Sequence, residues 1–189
     1  MQHLDLTEET FETERQVVIN ERAQRVDNDP YGQLNERLWQ LAFEHHAYGR
    51  PVIGWRPDLD AISLEDCERF YRTFYSPSNA VLVVVGDVDS GELAATISRH
   101  YGSIPAREVV RPEVAAEPEQ TAQRRDTLEL RTETELMMMG VKIPATRDPD
   151  HVPLLLLDRV LFGGRSSRLY RKLVDAGMAA RAHAFLLMF

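Results

Sequence analysis

Cysteine is almost missing from this chain: Cys67 is the one cysteine in 189 residues. A single thiol excludes an intrachain disulfide framework. With no C-x-x-C partner and no neighbouring histidine, Cys67 reads as a small buried or half-buried apolar side chain rather than a nucleophile. Long apolar runs are missing as well. None approaches the roughly 20 residues that a helix needs to cross a bilayer. No block of lysine or arginine offsets the formal charge of −8, which disfavours nucleic acid or an anionic membrane surface as a partner. Gly86-Asp87 is followed by no G-x-G-x-x-G or Walker pattern, so the phosphate-loop alternative falls away.

Glycine and proline are also absent from Thr7 to Asp27, and that run is rich in good helix formers. It predicts a helix to about Val26, capped by Thr7, with Glu8 and Glu9 at the positive end of its dipole and Phe11, Val17 and Val18 on the buried side. Glu14 and Glu21 stand seven residues apart, close to two helical turns, so both carboxylates project from one face. Two acids so placed can share a cation, or one can ligate while the other orients a ligand or moves a proton. They can equally sit on a solvated face beside Arg15, Arg22 and Arg25. Residue types alone leave both alternatives open.

Further along, Leu34, Leu38, Leu41 and Ala42 predict an amphipathic helix from Tyr31 to Phe43. His45 and His46 are adjacent and would point in different directions, a poor arrangement for shared ligation. Gly49 to Leu59 reads as an extended connection. Ser63 and Asp66 form a capping-box start for a helix carrying Cys67, Phe70, Tyr71 and Phe74 inward. Ala80 to Val85 reads as a covered strand, and Asp89 or Ser90 as the cap of a helix reaching Tyr101. Pro105, Pro112 and Pro118 punctuate a linker at 105–125. Beyond it, Asp126–Arg131, Glu135–Ile143 and Met178–Phe189 read as strands. An apolar helix follows Asp150, and another begins at Arg165.

Glu14-Arg-Gln-Val-Val-Ile-Asn-Glu21, then His46-Ala-Tyr-Gly-Arg-Pro-Val-Ile-Gly54, then Tyr75-Ser-Pro-Ser-Asn-Ala-Val-Leu-Val-Val-Val-Gly-Asp87, then Gly163-Gly-Arg-Ser-Ser-Arg-Leu-Tyr170 come in a characteristic order. The chain resembles part of a bacterial insulinase/pitrilysin-type zinc peptidase, the M16 family that includes mitochondrial processing peptidase. The resemblance runs from about Leu4 to Phe189. It implies an α+β fold with two M16-type (LuxS/metallohydrolase-like) halves, both incomplete, each a mostly antiparallel sheet with helices on one face. Residues 1–104 would be the remainder of the first half, 105–125 the linker, and 126–189 the start of the second, inactive half. The family's C-terminal sequence module would instead run over about 62–189.

The same resemblance assigns chemistry. In the family an inverted H-x-x-E-H helix gives two histidine ligands and the general base, and a later glutamate completes the zinc site. Glu21 matches that glutamate and Glu14 its acidic partner. The histidines here, at 3, 45, 46, 100, 151 and 183, bracket no x-x-Glu. The chain is therefore expected to be a fragment of a zinc-dependent endopeptidase of extended polypeptides, inactive alone, with no zinc bound to it and zinc expected in the intact parent. The alternative is a non-catalytic M16-like subunit that binds peptide or acts as a structural partner. Two departures stand out: Ala47 replaces a usual proline, and Leu173–Arg181 lacks the family's arginine and tyrosine, with Val174 and Ala180 near those positions. Association with a second copy or another M16-like subunit is expected. The compartment, periplasmic or cytoplasmic, stays open.

Overall fold

The computed structural model describes residues 3–186. The chain divides into two units, one ending at Gly140 and the other beginning at Val141. In the first unit, α1 spans Glu8–Arg22, α2 Pro30–Ala42, α3 Arg56–Ala61, α4 Leu64–Phe74 and α5 Ser90–Tyr101. In the second, α6 spans His151–Phe162 and α7 Arg168–Tyr170, the latter running into a π-turn over Arg171–Asp175.

Local chemistry explains where the helices begin. Thr7 and Thr10 cap α1 reciprocally, each side-chain oxygen accepting from the other's backbone N–H at 3.2 and 3.1 Å. Asp29 accepts from Tyr31 and Gly32 at 3.2 and 3.0 Å, with Pro30 in the first turn of α2, where a missing N–H costs nothing. Asp89 does the same for α5 through Gly91 and Glu92. Ser63 and Asp66 form the capping box of α4, as their spacing implies. The α3 helix occupies part of the stretch expected to be extended. Pro57 lies in its first turn, a position that starts a helix rather than breaking it.

α1 does not stop at Arg22 but widens into a π-turn over Ala23–Asp27. Arg22 lies on its inner side, only 5% exposed. Its guanidinium donates from Nη1 and Nη2 to the two Glu36 oxygens at 2.9 and 3.0 Å, and from Nη1 to the Gly54 carbonyl at 2.7 Å. Nε lies 3.2 Å from Asp27 Oδ1, close enough for attraction but without the alignment of a hydrogen bond. The Glu36 hydrogen bonds, with help from the Asp27 charge, hold the Arg22 pKa above its ordinary value. Gly54 has φ +86°, a left-handed conformation that suits glycine, at the turn where its carbonyl meets Arg22. A Cβ at Gly32 would lie 2.1 Å from the Arg25 carbonyl oxygen, so glycine is what lets α2 begin against the π-turn.

The expected sheet is not there. Among the described residues no strand forms, and the α+β description with mostly antiparallel sheet is corrected to helices joined by irregular segments. Ala80 to Val85 carries strand-favouring residues, but Val81, Val83 and Val85 are 90%, 75% and 92% exposed. β-Branched composition expresses a preference for a pleated, half-buried surface; a ladder also needs a second row of N–H and C=O groups beside it. Residues 126–131, 135–143 and 178–186 likewise form no strand, and the end of the last expected strand, 187–189, lies outside the described residues.

Burial is correspondingly thin. Phe11 and Ile19 are the buried apolar residues among those described, whereas Val17, expected inward, is 53% exposed. Phe70 on α4 and Leu156 on α6 are exposed as well, so the expected core faces there are open.

Two outcomes follow from these contacts. Glu36→Ala should cost roughly 3 kcal/mol in urea unfolding followed by circular dichroism, because it strands a buried guanidinium; an unchanged midpoint would remove Arg22 from its organising role. Asp66 is held below the usual carboxylate range by the Ser63 hydroxyl first, then the Ser63 N–H and Arg69. Its cap is therefore fully present above that range and lost as pH falls through the depressed value, with α4 helicity fading in acid. Ser63→Ala should lower α4 stability by about 1 kcal/mol and shift that acid fading upward in pH.

Candidate functional site

The inward face of α1 reads Phe11, Arg15, Ile19, Arg22. The Arg15 guanidinium carbon sits 5.6 Å from the Phe11 ring centroid, and its Nη2 donates to Glu12 at 2.7 Å. Glu14 and Glu21 fall away from this face. Glu14 is exposed and has no ion pair among the described residues. Glu21 is partly exposed, its side chain at 40%, and Oε1 pairs with Arg25 Nη2 at 3.1 Å, one turn on. Arg25 itself is 73% exposed, so the pair is a solvent-screened surface contact. α1 thus presents both carboxylates outward, and neither holds the unit together.

No histidine joins them. His45 and His46 are exposed at the end of α2, and His46 Nδ1 accepts from the Tyr48 N–H at 3.2 Å, closing the turn at Ala47–Gly49. That structural task is one the sequence did not reveal. Among the described residues no group of three or more His, Cys, Asp or Glu side chains could hold a metal ion. Catalytic zinc takes three protein ligands, so these carboxylates do not fit it by themselves. An open groove between the starts of α1 and α4, lined by Glu8, Glu12, Arg15, Ile62 and Glu65, holds neither Glu14 nor Glu21. Cys67 is a half-buried free thiol on α4. Val174 lies in the π-turn after α7 and Ala180 just beyond it.

The residue that sequence reasoning missed is Arg22. A signal was available: it follows Ile19 by three positions and Phe11 by eleven, which puts a charge on the apolar face. Its acidic partner, fourteen residues away on another helix, left no local pattern to find.

The family profile described as "Peptidase M16 inactive domain" matches residues 61–188. The chain belongs to the M16 peptidase family. It is 35% identical over 182 residues to the zinc protease PqqE of Helicobacter pylori, an alignment covering 93% of this chain and 40% of that protein. It is 31% identical over 186 residues to an uncharacterized zinc protease of Mycobacterium leprae, covering 94% and 40%. Among solved structures, a protease from Helicobacter pylori superposes with a TM-score of 0.73 at 33% identity, over 93% of this chain and 43% of that one. The chain therefore spans about two fifths of the curated relatives it matches. The profile match begins beyond α1, so the carboxylate helix lies outside the region described as inactive.

Since both carboxylates face solvent, Glu14→Gln and Glu21→Gln should each change the stability of this chain by no more than about 0.5 kcal/mol in thermal unfolding. A loss of several kcal/mol in either would make that glutamate part of the scaffold.

Proposed function

We propose that this chain is a portion of a zinc-dependent endopeptidase that cleaves extended polypeptides, and that it is inactive on its own. The observation that carries this is the spare carboxylate pair: α1 is anchored by Arg22 while Glu14 and Glu21 point outward with no structural task. Glu21 would supply one anionic oxygen ligand to zinc in the whole protein, and Glu14, one face-repeat earlier, would orient or balance it from behind. Resemblance to proteins named zinc proteases supports the same assignment. The family's division into a half ending near 104, a linker over 105–125 and a second half from 126 goes with this reading.

The thin burial supports association. Val81, Val83 and Val85, with Met137 and Met139, leave apolar surface bare in the first unit. We propose that a second copy or another M16-like subunit covers it. A second functional reading, a peptide-binding or structural subunit without catalysis, draws on the profile described as inactive and on the missing arginine and tyrosine between Leu173 and Arg181.

The test compares this chain with a form extended upstream by the segment that carries an H-x-x-E-H helix in the family. Zinc content and hydrolysis of an unstructured peptide are expected only in the extended form, with both reduced at least about tenfold by Glu21→Gln. A zinc-free, inactive extended form would favour the subunit reading.

A further inference from the structure

The stretch after α5 carries apolar side chains that are not buried: Val110 and Val114 are 72% and 67% exposed. Polar contacts fasten it instead, at two places. Near the end of α4, the Arg107 N–H donates to the fully buried Ser76 hydroxyl at 3.0 Å, the Arg107 side chain to the Tyr75 carbonyl at 2.9 Å, and Arg111 to the Asn79 side chain at 2.9 Å. Near the end of α2, Arg124 donates to the Leu41 carbonyl at 2.8 Å and pairs with Glu44, and Arg37 pairs with Asp126. Between these places one carboxylate stands out. Glu117 Oε2 accepts from the backbone N–H groups of His45 and His46 at 2.8 and 2.9 Å, and its two oxygens share the N–H of Glu44 at 3.0 and 3.1 Å.

Successive N–H groups converging on one oxygen form a concave anion-binding nest, and a carboxylate is the anion already in it. The donors lie just past the last residue of α2, where the chain has left the helix and these N–H groups are not used within it. We propose that the nest at residues 44–46 is a carboxylate receptor, and that Glu117 is its internal ligand and acts as a latch. Seated, it straps residues 107–126 across the ends of α4 and α2. Displaced by another carboxylate, such as that of a peptide, it frees the strap and opens the receptor. The strap then responds to an occupant of the nest because its remaining fastenings are polar contacts, while Val110 and Val114 stay exposed and add little apolar burial.

The test is residue-resolved hydrogen exchange by NMR on the full chain, with trypsin cleavage after Arg107 and Arg125 as a second readout. In Glu117→Ala, exchange at Glu44, His45 and His46 should speed up at least tenfold and cleavage should accelerate. Acetate titrated against chloride at constant ionic strength should slow those three amides again without restoring the strap's resistance to trypsin. Unchanged exchange and cleavage in the folded variant would overturn the latch, and no response to acetate would overturn the receptor. If Glu117→Ala loses its helical signal, Glu117→Gln decides. It keeps one acceptor oxygen and loses the charge, so severalfold faster exchange at the three amides supports the proposal and wild-type exchange overturns it.

Discussion

One buried cation organises the first unit. The Arg22 guanidinium bonds to Glu36 on α2, to the carbonyl of Gly54 in the turn before α3, and lies against Asp27 at the end of the π-turn. Four segments of the first unit thereby meet at a single side chain. A buried ion pair is weak evidence of net stability, because desolvation opposes the Coulombic gain; its stronger effect is on register, since an unpaired partner would be severely penalised. With Phe11 and Ile19 the apolar residues buried among those described, there is little hydrophobic burial to fix the rotation of α1 otherwise. Arg22 facing inward is what turns Glu21, its immediate neighbour, toward the outside.

Helix starts were legible in the sequence because capping is local. Thr7, Asp29, Ser63 and Asp89 each satisfy N–H groups two or three residues away, and the residue pattern alone identifies most of them. α3 escaped because Gly49 to Leu59 reads as an extended connection, whereas Pro57 lies in a helical first turn. The strands failed for a different reason. Val81 to Val85 carries strand propensity, yet a strand is a relation between two segments, and propensity does not say whether the second is present. The same limit hid Glu36 and Glu117, whose partners lie 14 and more than 70 residues away.

The candidate site was half legible. Seven-residue spacing put Glu14 and Glu21 on one helical face, and they lie outward on α1. What the spacing did not reveal was the contrast with the face behind them, where Arg15 covers Phe11 and Arg22 is sealed against α2. The contrast is between a scaffold face fixed by a buried charge and an outward face with carboxylates that the fold does not use. The strap through Glu117 adds a second polar device, built from backbone amides that composition cannot disclose.

The most direct test of the central claim, that anchored Arg22 aims Glu21 at zinc, is zinc-edge X-ray absorption on the upstream-extended protein. Wild type should show nitrogen and oxygen scatterers at about 2.0–2.2 Å. Glu21→Gln should lose one oxygen scatterer or the metal itself, and Glu36→Ala should broaden that shell by loosening the turn that carries Glu21. An identical spectrum in the Glu21→Gln protein, at full zinc occupancy, would contradict the account and return both carboxylates to the solvated face of α1.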